Sequence, residues 1–162
     1  MIEVRGSLQA SGYRFAVVVS RFNEDITAGL LQEARLALAD ASVRDEDITI
    51  VHVPGAFDIP VAALRAAKTG RFDAVICLGA VIKGETMHFE FIANATCREI
   101  ASAAAATGVP ITLGVLTTLT LDQAAKRAAI DGVGVGSKGR EAARAAVEMA
   151  TLFRQLPEEP FE

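Results

Sequence analysis

The sequence is poor in cysteine and has no excess of positive charge. Its two cysteines, Cys77 and Cys97, lie far apart in the chain and form no CxxC pair, so we expect two reduced core residues and no metal site. The formal net charge is −4 and the pI is about 5.3. A chain of this charge has no general electrostatic reason to bind nucleic acid or an anionic membrane.

Long apolar runs are also missing. A membrane span needs about 20 consecutive apolar residues, and charged residues interrupt every apolar segment here. The first residues, MIEVRGSLQASG, lack the basic cluster and apolar block of a secretory signal. We therefore expect a cytoplasmic protein that does not bind membranes.

The length of 162 residues fits one domain, which we place over residues 1–162. The mean hydropathy of +0.34 is high for a soluble monomer. It indicates either surface buried against other subunits or merely alanine-rich helices. The sequence contains no internal repeat and no low-complexity tract.

Apolar runs rich in valine and isoleucine alternate with segments of helical periodicity. The runs are short and nearly continuous, as in strands that are covered on both faces: 15–20, 48–53, 74–78 and 111–116. Helical patterns occupy about 26–38, 59–67, 86–106, 120–129 and 140–156, with a glycine-rich break at 131–139 and a loose tail at 157–162. This alternation predicts an α/β fold with a four-stranded parallel sheet between two layers of helices.

Polar and glycine-bearing residues follow each predicted strand, at the edge of the sheet where such folds bind ligands. The four segments are 20–23 (SRFN), 54–60 (PGAFDIP), 79–88 (GAVIKGETMH) and Thr117 with Thr118. The segment from Gly79 to Thr86 is predicted to be a turn whose free amides bind an anion, although an ordinary turn with Thr86 as helix cap fits the same pattern. His88, in the first turn of the next helix, is a candidate proton carrier or a structural histidine. His52 lies within a strand and is predicted to be structural.

Three further residues each have two interpretations. Phe22 either stacks on a flat heterocycle or covers the core. Asp58 either accepts hydrogen bonds from hydroxyl groups or caps the helix that Pro60 begins. Arg127 either binds phosphate or belongs to a solvated helix face together with Lys126.

Taken together and in this order, the segments resemble the lumazine synthases of riboflavin biosynthesis over nearly the whole chain. The segments that carry the resemblance are SRFNEDIT (20–27), VPGAFDIP (53–60), LGAVIKGETMHFEFI (78–92), GVPITLGVLTT (108–118), DQAAKRA (122–128) and VEMATL (147–152).

The resemblance implies a flavodoxin-like αβα sandwich and a condensation without metal or organic cofactor. An aminopyrimidine with a ribityl side chain, 5-amino-6-(D-ribitylamino)uracil, reacts with 3,4-dihydroxy-2-butanone 4-phosphate. The products are 6,7-dimethyl-8-ribityllumazine, phosphate and water. Carried over by position, His88 is the proton shuttle. The pyrimidine and its ribityl chain would contact Phe22, Ala56, Phe57, Asp58, Ala80, Val81, Ile82 and Leu113, and the phosphate would contact Glu85, Thr86, Arg127 and Lys138.

This sequence departs from the family pattern at three places. Asp58 replaces the usual glutamate, a shorter reach that one bridging water can make up. Leu113 stands where an aromatic residue is common, which would reduce stacking to apolar contact. The break RAAIDGVGVGSKG is longer than in capsid-forming members, so Lys138 is an approximate match to the family's active-site lysine.

The family builds its active sites between neighbouring subunits of a pentamer. The resemblance implies that Leu113, Arg127 and Lys138 reach the site of an adjacent chain. It also implies that an N-terminal arm, residues 1–12, adds a strand to the neighbour's sheet through Ile2 to Val4 and satisfies an open edge. The longer break favours free pentamers over a sixty-subunit shell.

Two other classes on the same fold are excluded. A receiver domain needs acidic residues after the first strand to bind Mg²⁺, and a flavodoxin needs a phosphate-binding loop there, but this chain has Ser20-Arg-Phe. A paralogue that binds flavin or lumazine, or that serves as a shell protein without catalysis, stays open as an alternative.

Overall fold

The computed structural model of the protein describes residues 1–128 and 137–156. Part of the predicted glycine-rich break and the predicted tail at 157–162 lie outside these residues. In the described part of the chain, strands and helices alternate up to the last strand, and two helices follow it. The elements are β1 (Phe15–Ser20), α1 (Glu24–Asp40), β2 (Ile48–Val53), α2 (Ile59–Lys68), β3 (Ala74–Ile82), α3 (His88–Thr107), β4 (Ile111–Thr118), α4 (Leu121–Ala128) and α5 (Lys138–Phe153).

The strands form one parallel sheet in the order β2-β1-β3-β4. Apolar side chains of α1, α4 and α5 pack on one face, and those of α2 and α3 pack on the other. This three-layer arrangement is the predicted flavodoxin-like αβα sandwich. The pairing of β1 with β3 ends at Val19 and Leu78, whereas β3 continues beside β4 as far as Ile82 and Thr118.

The prediction that every strand is covered on both faces is correct only for the two central strands. All residues of β1 are buried, as are all but the last of β3. In contrast, β2 and β4 form the edges of the sheet and are partly exposed, because the described chain supplies no strand beyond them. His52 lies in β2 with its side chain exposed.

Helix boundaries follow the predicted signals closely. Gly108 ends α3 with a φ of 67°, a conformation that glycine adopts without steric cost. Thr120 precedes α4, and its Oγ1 accepts a hydrogen bond of 3.1 Å from the Gln123 amide. The Gln123 side chain in turn accepts from the Leu119 amide at 2.9 Å, one residue before the position that a standard capping box uses.

The final helix begins earlier than predicted, at Lys138 instead of after Gly139, and it ends at Phe153 instead of near Leu156. Ser137 caps it, since the Ser137 hydroxyl accepts from the Gly139 amide at 3.2 Å. A Cβ on Gly139 would lie 2.1 Å from the Leu30 carbonyl oxygen, so glycine is required where α5 crosses α1. The glycine therefore marks a helix contact and not the break that the pattern suggested.

An ion-pair network with one buried carboxylate joins the same two helices. The Arg140 guanidinium donates to Glu33 at 2.9 Å and to Asp40 at 2.9 Å. The carboxylate of Glu33 is almost completely buried. The hydrogen bond to Glu33, followed by that to Asp40, raises the pKa of Arg140 above its usual value. The guanidinium therefore stays charged and compensates a carboxylate that would otherwise be costly to bury.

The N-terminal segment lies along α5 of its own chain from Arg5 onward. The Ser7 amide donates to Thr151 Oγ1 at 2.7 Å, and Gln155 donates to the Arg5 carbonyl at 2.8 Å. Residues 1–4 make no backbone hydrogen bond to the described residues, and Met1 and Ile2 are fully exposed.

Two further predictions from composition concern membrane-spanning helices and the cysteines. No helix in residues 1–128 and 137–156 is long and apolar enough to cross a bilayer. Both cysteines are free thiols, as predicted. Cys77 lies in the core, where burial raises its pKa to about 12, whereas Cys97 is only half-buried.

Candidate active site

A cavity of about 480 Å³ opens at the carboxyl ends of β1, β2 and β3, the edge of the sheet that the sequence predicted. It contains most of the predicted site residues. Those that line it are Phe22, Ala56, Phe57, Asp58, Ala80, Val81, Ile82, Thr86 and His88, together with Asn23, Pro54, Gly55, Gly84, Phe89 and Ile92.

The loop after β1 presents an aromatic ring to this cavity. Phe22 is 72% exposed, which rules out the interpretation that its ring covers the core. The amides of Arg21 and Phe22 donate to the carbonyls of Val53 and Pro54, at 2.8 and 3.0 Å. These bonds continue the pairing of β1 with β2 past the strand ends, so the backbone that carries the ring is fixed.

The loop after β2 forms a single tight turn over residues 56–58. Asp58 stabilises this turn, because its Oδ2 accepts from the Gly55 amide at 3.0 Å. The buried Thr96 hydroxyl of α3 donates to the Ala56 carbonyl at 3.4 Å. Asp58 precedes α2 without a side-chain hydrogen bond to that helix. Its second oxygen, Oδ1, makes no hydrogen bond within residues 1–128 and 137–156 and is available to a ligand.

The third segment differs from the prediction at its beginning. Gly79 to Ile82 continue β3, so the predicted turn from Gly79 to Thr86 shrinks to residues 83–87. Gly79 is not part of an anion cradle. A Cβ there would lie 2.8 Å from Ile59 Cδ1 and 3.0 Å from Ser20 Oγ, so the glycine lets α2 and the end of β1 close beneath the cavity floor.

The turn at 83–87 leads into α3, and His88 is the first residue of that helix. Thr86 Oγ1 accepts a long hydrogen bond of 3.4 Å from the His88 amide. No side chain caps the helix at Met87. The first amides of this 20-residue helix therefore meet little competition from side-chain acceptors, and Thr86, His88 and Phe89 at its start line the cavity.

The fourth predicted segment does not contribute to the cavity of this chain. Thr117 and Thr118 lie within β4, and neither lines the cavity. Leu113 is 40% exposed on the same edge strand. Arg127 is exposed on α4, where it donates to the Gln123 carbonyl at 3.1 Å. Lys138 pairs with Glu141 at 3.2 Å at the start of α5.

Asn23 lines the cavity but was not among the predicted site residues. It has a φ of 61° and a ψ of 48°, the left-handed conformation, and it precedes α1. Its Nδ2 donates to the Ala80 carbonyl of β3 at 3.2 Å. The sequence signal was available, since asparagine between a strand and a helix is the side chain that best tolerates this backbone conformation.

The cavity wall carries one carboxylate, Asp58, and one imidazole, His88, among mostly apolar groups. Within residues 1–128 and 137–156, no cluster of three or more His, Cys, Asp or Glu side chains could hold a metal ion. The arrangement suits a flat heterocycle against Phe22 and the edge of β3, with an anion at the start of α3.

The chain is similar in sequence to known proteins. The sequence profile of the family described as 6,7-dimethyl-8-ribityllumazine synthase matches residues 12–154. A protein of Salinibacter ruber named 6,7-dimethyl-8-ribityllumazine synthase is 48% identical over 153 residues, which is 94% of this chain and 96% of that protein. The chain therefore belongs to the 6,7-dimethyl-8-ribityllumazine synthase family.

Proposed function

We propose that the protein condenses 5-amino-6-(D-ribitylamino)uracil with 3,4-dihydroxy-2-butanone 4-phosphate to form 6,7-dimethyl-8-ribityllumazine. Phosphate and two waters leave. One water leaves when the 5-amino group forms an imine with the ketone, and the other when the ribitylamino nitrogen closes the ring. The observation that carries the proposal is the cavity itself, which joins an exposed aromatic ring, a strand edge and an open helix start.

The heterocycle fits between Phe22 and the end of β3. The ring of Phe22 would stack on the pyrimidine, and the backbone of Ala80, Val81 and Ile82 would hydrogen-bond to its edge. The turn at Ala56, Phe57 and Asp58 would meet the ribityl chain. Asp58 Oδ2 is already engaged with Gly55, so Oδ1 would accept from a ribityl hydroxyl, directly or through a water.

The phosphate of the second substrate fits at the start of α3. Backbone amides at a helix N-terminus bind anions, and the macrodipole adds to the attraction. Glu85 would contribute its backbone amide and Thr86 its hydroxyl. The described part of this chain places no arginine or lysine along the cavity wall, and we infer that Arg127 of an adjacent subunit supplies the cation.

His88 lies beside this phosphate position and would move protons. The imine step needs a proton on the departing water. Loss of phosphate needs removal of a proton from the neighbouring carbon, and the resulting enol then takes a proton to become the ketone that closes the ring. One imidazole can serve these steps in turn near neutral pH. Alignment of the two substrates would supply the larger share of the acceleration, on the order of 7 kcal/mol in favourable cases.

We infer that the active protein is an assembly, with free pentamers as its form. Leu113, Arg127 and Lys138 do not line the cavity of their own chain. If a neighbour's site receives them, Leu113 would cover the heterocycle, and Arg127 and Lys138 would approach the phosphate. Residues 1–4 are available to add a strand to an open sheet edge of that neighbour. The reaction as proposed needs no cofactor and takes place in the cytoplasm.

The test is lumazine formation from the two purified substrates, followed by absorbance and fluorescence, with wild type, Arg127→Ala and Lys126→Ala. Lys126 is the matched control, because it is the adjacent cation on α4 and pairs with Asp122 at 2.9 Å. We expect the wild type to exceed the spontaneous rate. Loss of a charge-assisted contact of about 1.5–3 kcal/mol should lower kcat/KM for the phosphorylated substrate about ten- to hundredfold in Arg127→Ala alone.

Two outcomes would contradict these proposals separately. Folded wild-type protein that only matches the spontaneous rate would refute the enzymatic function and leave a binding or shell protein. An active wild type with unchanged KM and kcat/KM for the phosphorylated substrate in Arg127→Ala would refute the phosphate assignment alone.

A further inference from the structure

Within the described residues, the last part of β3 has no neighbouring strand on the β1 side. The last pair that joins β1 to β3 is Val19 with Leu78, and β3 runs four residues further, to Ile82. Peptide groups of a strand point alternately to its two sides. The amides of Val75 and Lys83 bond to Pro110 and Thr118 on the β4 side. Even-numbered residues therefore direct their backbone groups towards β1.

Ala80 and Ile82 consequently present peptide groups to the cavity at the point where β1 has ended. At Ala80 the missing strand partner is replaced by a side chain, since Asn23 Nδ2 donates to the Ala80 carbonyl at 3.2 Å. No comparable protein donor reaches the Ile82 carbonyl within the described residues. The Ala80 carbonyl is thus bonded to Asn23, whereas the Ile82 carbonyl is available to a ligand.

Asn23 is also fixed on its other side. Its own carbonyl accepts from the amides of Ile26 and Thr27, at 2.9 and 3.0 Å, which anchors it to the first turn of α1. The preceding Phe22 amide is bonded to Pro54. The left-handed backbone of Asn23 turns the chain between these two anchors. The side-chain amide therefore links the loop that carries the Phe22 ring to the strand that faces it.

We propose that Asn23 is a positioning residue for the pyrimidine substrate, which holds the Phe22 loop and the Ala80 to Ile82 edge of β3 at the spacing that the heterocycle requires. It acts through the Ala80 carbonyl and not by contact with the reacting atoms. This inference rests on the proposed function and adds a residue to its heterocycle end. The phosphate end, at Thr86 and His88, is independent of this link.

Asn23→Asp is the first test. Aspartate keeps the size of the side chain and tolerates the left-handed conformation, but it replaces the donor with a charged acceptor 3.2 Å from a carbonyl oxygen. We expect the KM for the ribitylaminopyrimidine to rise about tenfold. The KM for the butanone phosphate should stay within about twofold. The affinity for the lumazine product, measured by fluorescence titration without turnover, should fall about tenfold as well.

Asn23→Gly separates the effect of the side-chain hydrogen bond from that of the backbone conformation. Glycine adopts a φ of 61° freely, but it has no side-chain amide to donate. Like Asn23→Asp, this substitution should weaken pyrimidine binding. Ser42→Gly is the matched control, since Ser42 is the other non-glycine residue with positive φ in the described chain, at 65°, and lies outside the cavity. Both KM values should be unchanged in that control.

The outcomes distinguish this inference from the proposed function. An active wild type with unaltered pyrimidine KM and product affinity in Asn23→Asp would overturn the positioning role alone. Equal increases in both KM values, with a thermal midpoint lowered by more than about 4 °C, would overturn it in favour of a general folding role. A wild type that neither forms nor binds lumazine would overturn both proposals.

Discussion

Replacement of Phe22 by alanine should weaken substrate binding without much loss of stability, and the structure gives both magnitudes. Truncation of a fully buried phenylalanine costs about 3–5 kcal/mol. Phe22 is 72% exposed, so under a third of that cost applies, about 1 kcal/mol. Stacking of an aromatic side chain on a heterocycle contributes about 1–2 kcal/mol. We therefore expect the KM for the pyrimidine to rise about five- to thirtyfold.

Two further variants separate stacking from general apolar contact and from stability. Phe22→Leu keeps an apolar side chain but removes the aromatic face, so it should recover part of the binding. Phe153→Ala removes the same ring from the end of α5, where it is 39% exposed and outside the cavity. That change should cost more stability than Phe22→Ala and leave the KM unaffected.

The assay is steady-state lumazine formation at varied pyrimidine concentration, with thermal unfolding of the same preparations. We expect Phe22→Ala to raise the KM for the pyrimidine more than Phe153→Ala does. We expect Phe153→Ala to lower the thermal midpoint more than Phe22→Ala does. If Phe22→Ala bound the pyrimidine as tightly as the wild type, the exposed ring would have no stacking role. If Phe22→Leu lost as much binding as Phe22→Ala, the aromatic face alone would carry the interaction and apolar contact would contribute nothing.

Two predictions concern other parts of the molecule. His88→Ala should lower kcat by about 10²- to 10⁴-fold without abolishing turnover, because alignment of the substrates remains. His52→Ala is its control, and equal rates for the two variants would remove His88 from the mechanism. Gly139→Ala should destabilise the protein by about 1–3 kcal/mol, because its Cβ would lie 2.1 Å from the Leu30 carbonyl oxygen and α5 must shift away from α1. An unchanged thermal midpoint for Gly139→Ala would show that the helix crossing adjusts without cost.

Much of the fold follows from local pattern. The apolar runs identified β1 and β2 with their observed ends, and the signals at Gly108 and Thr120 placed the end of α3 and the start of α4. The partial exposure of β2 and β4 could not be predicted from the sequence. An apolar run indicates that a strand is covered, but it does not show whether another strand, a helix or another subunit covers it. The start of α5 was misplaced for a related reason, since Gly139 is explained only by the nearness of Leu30.

Position in the chain and the family resemblance both singled out Phe22, Asp58, Thr86 and His88 as candidates, and the fold brings these four residues to one cavity. No local pattern relates Asn23 to Ala80, because the contact joins residues far apart in sequence and depends on how far β3 outruns β1.

The cavity exists because β3 continues past the end of β1. Gly79 helps to explain this extension, and it is also the residue at which the sequence wrongly predicted that a turn begins. A strand that ended at Leu78, where the apolar run is first interrupted, would have left no free edge beyond β1 for a ligand. Gly79 looked like a turn residue, yet it lies within β3, at a position where a side chain would collide with Ile59 and Ser20. The absence of that side chain lets α2 and the end of β1 pack together under the cavity floor. The strand can then continue to Ile82, and its last residues form the wall opposite Phe22.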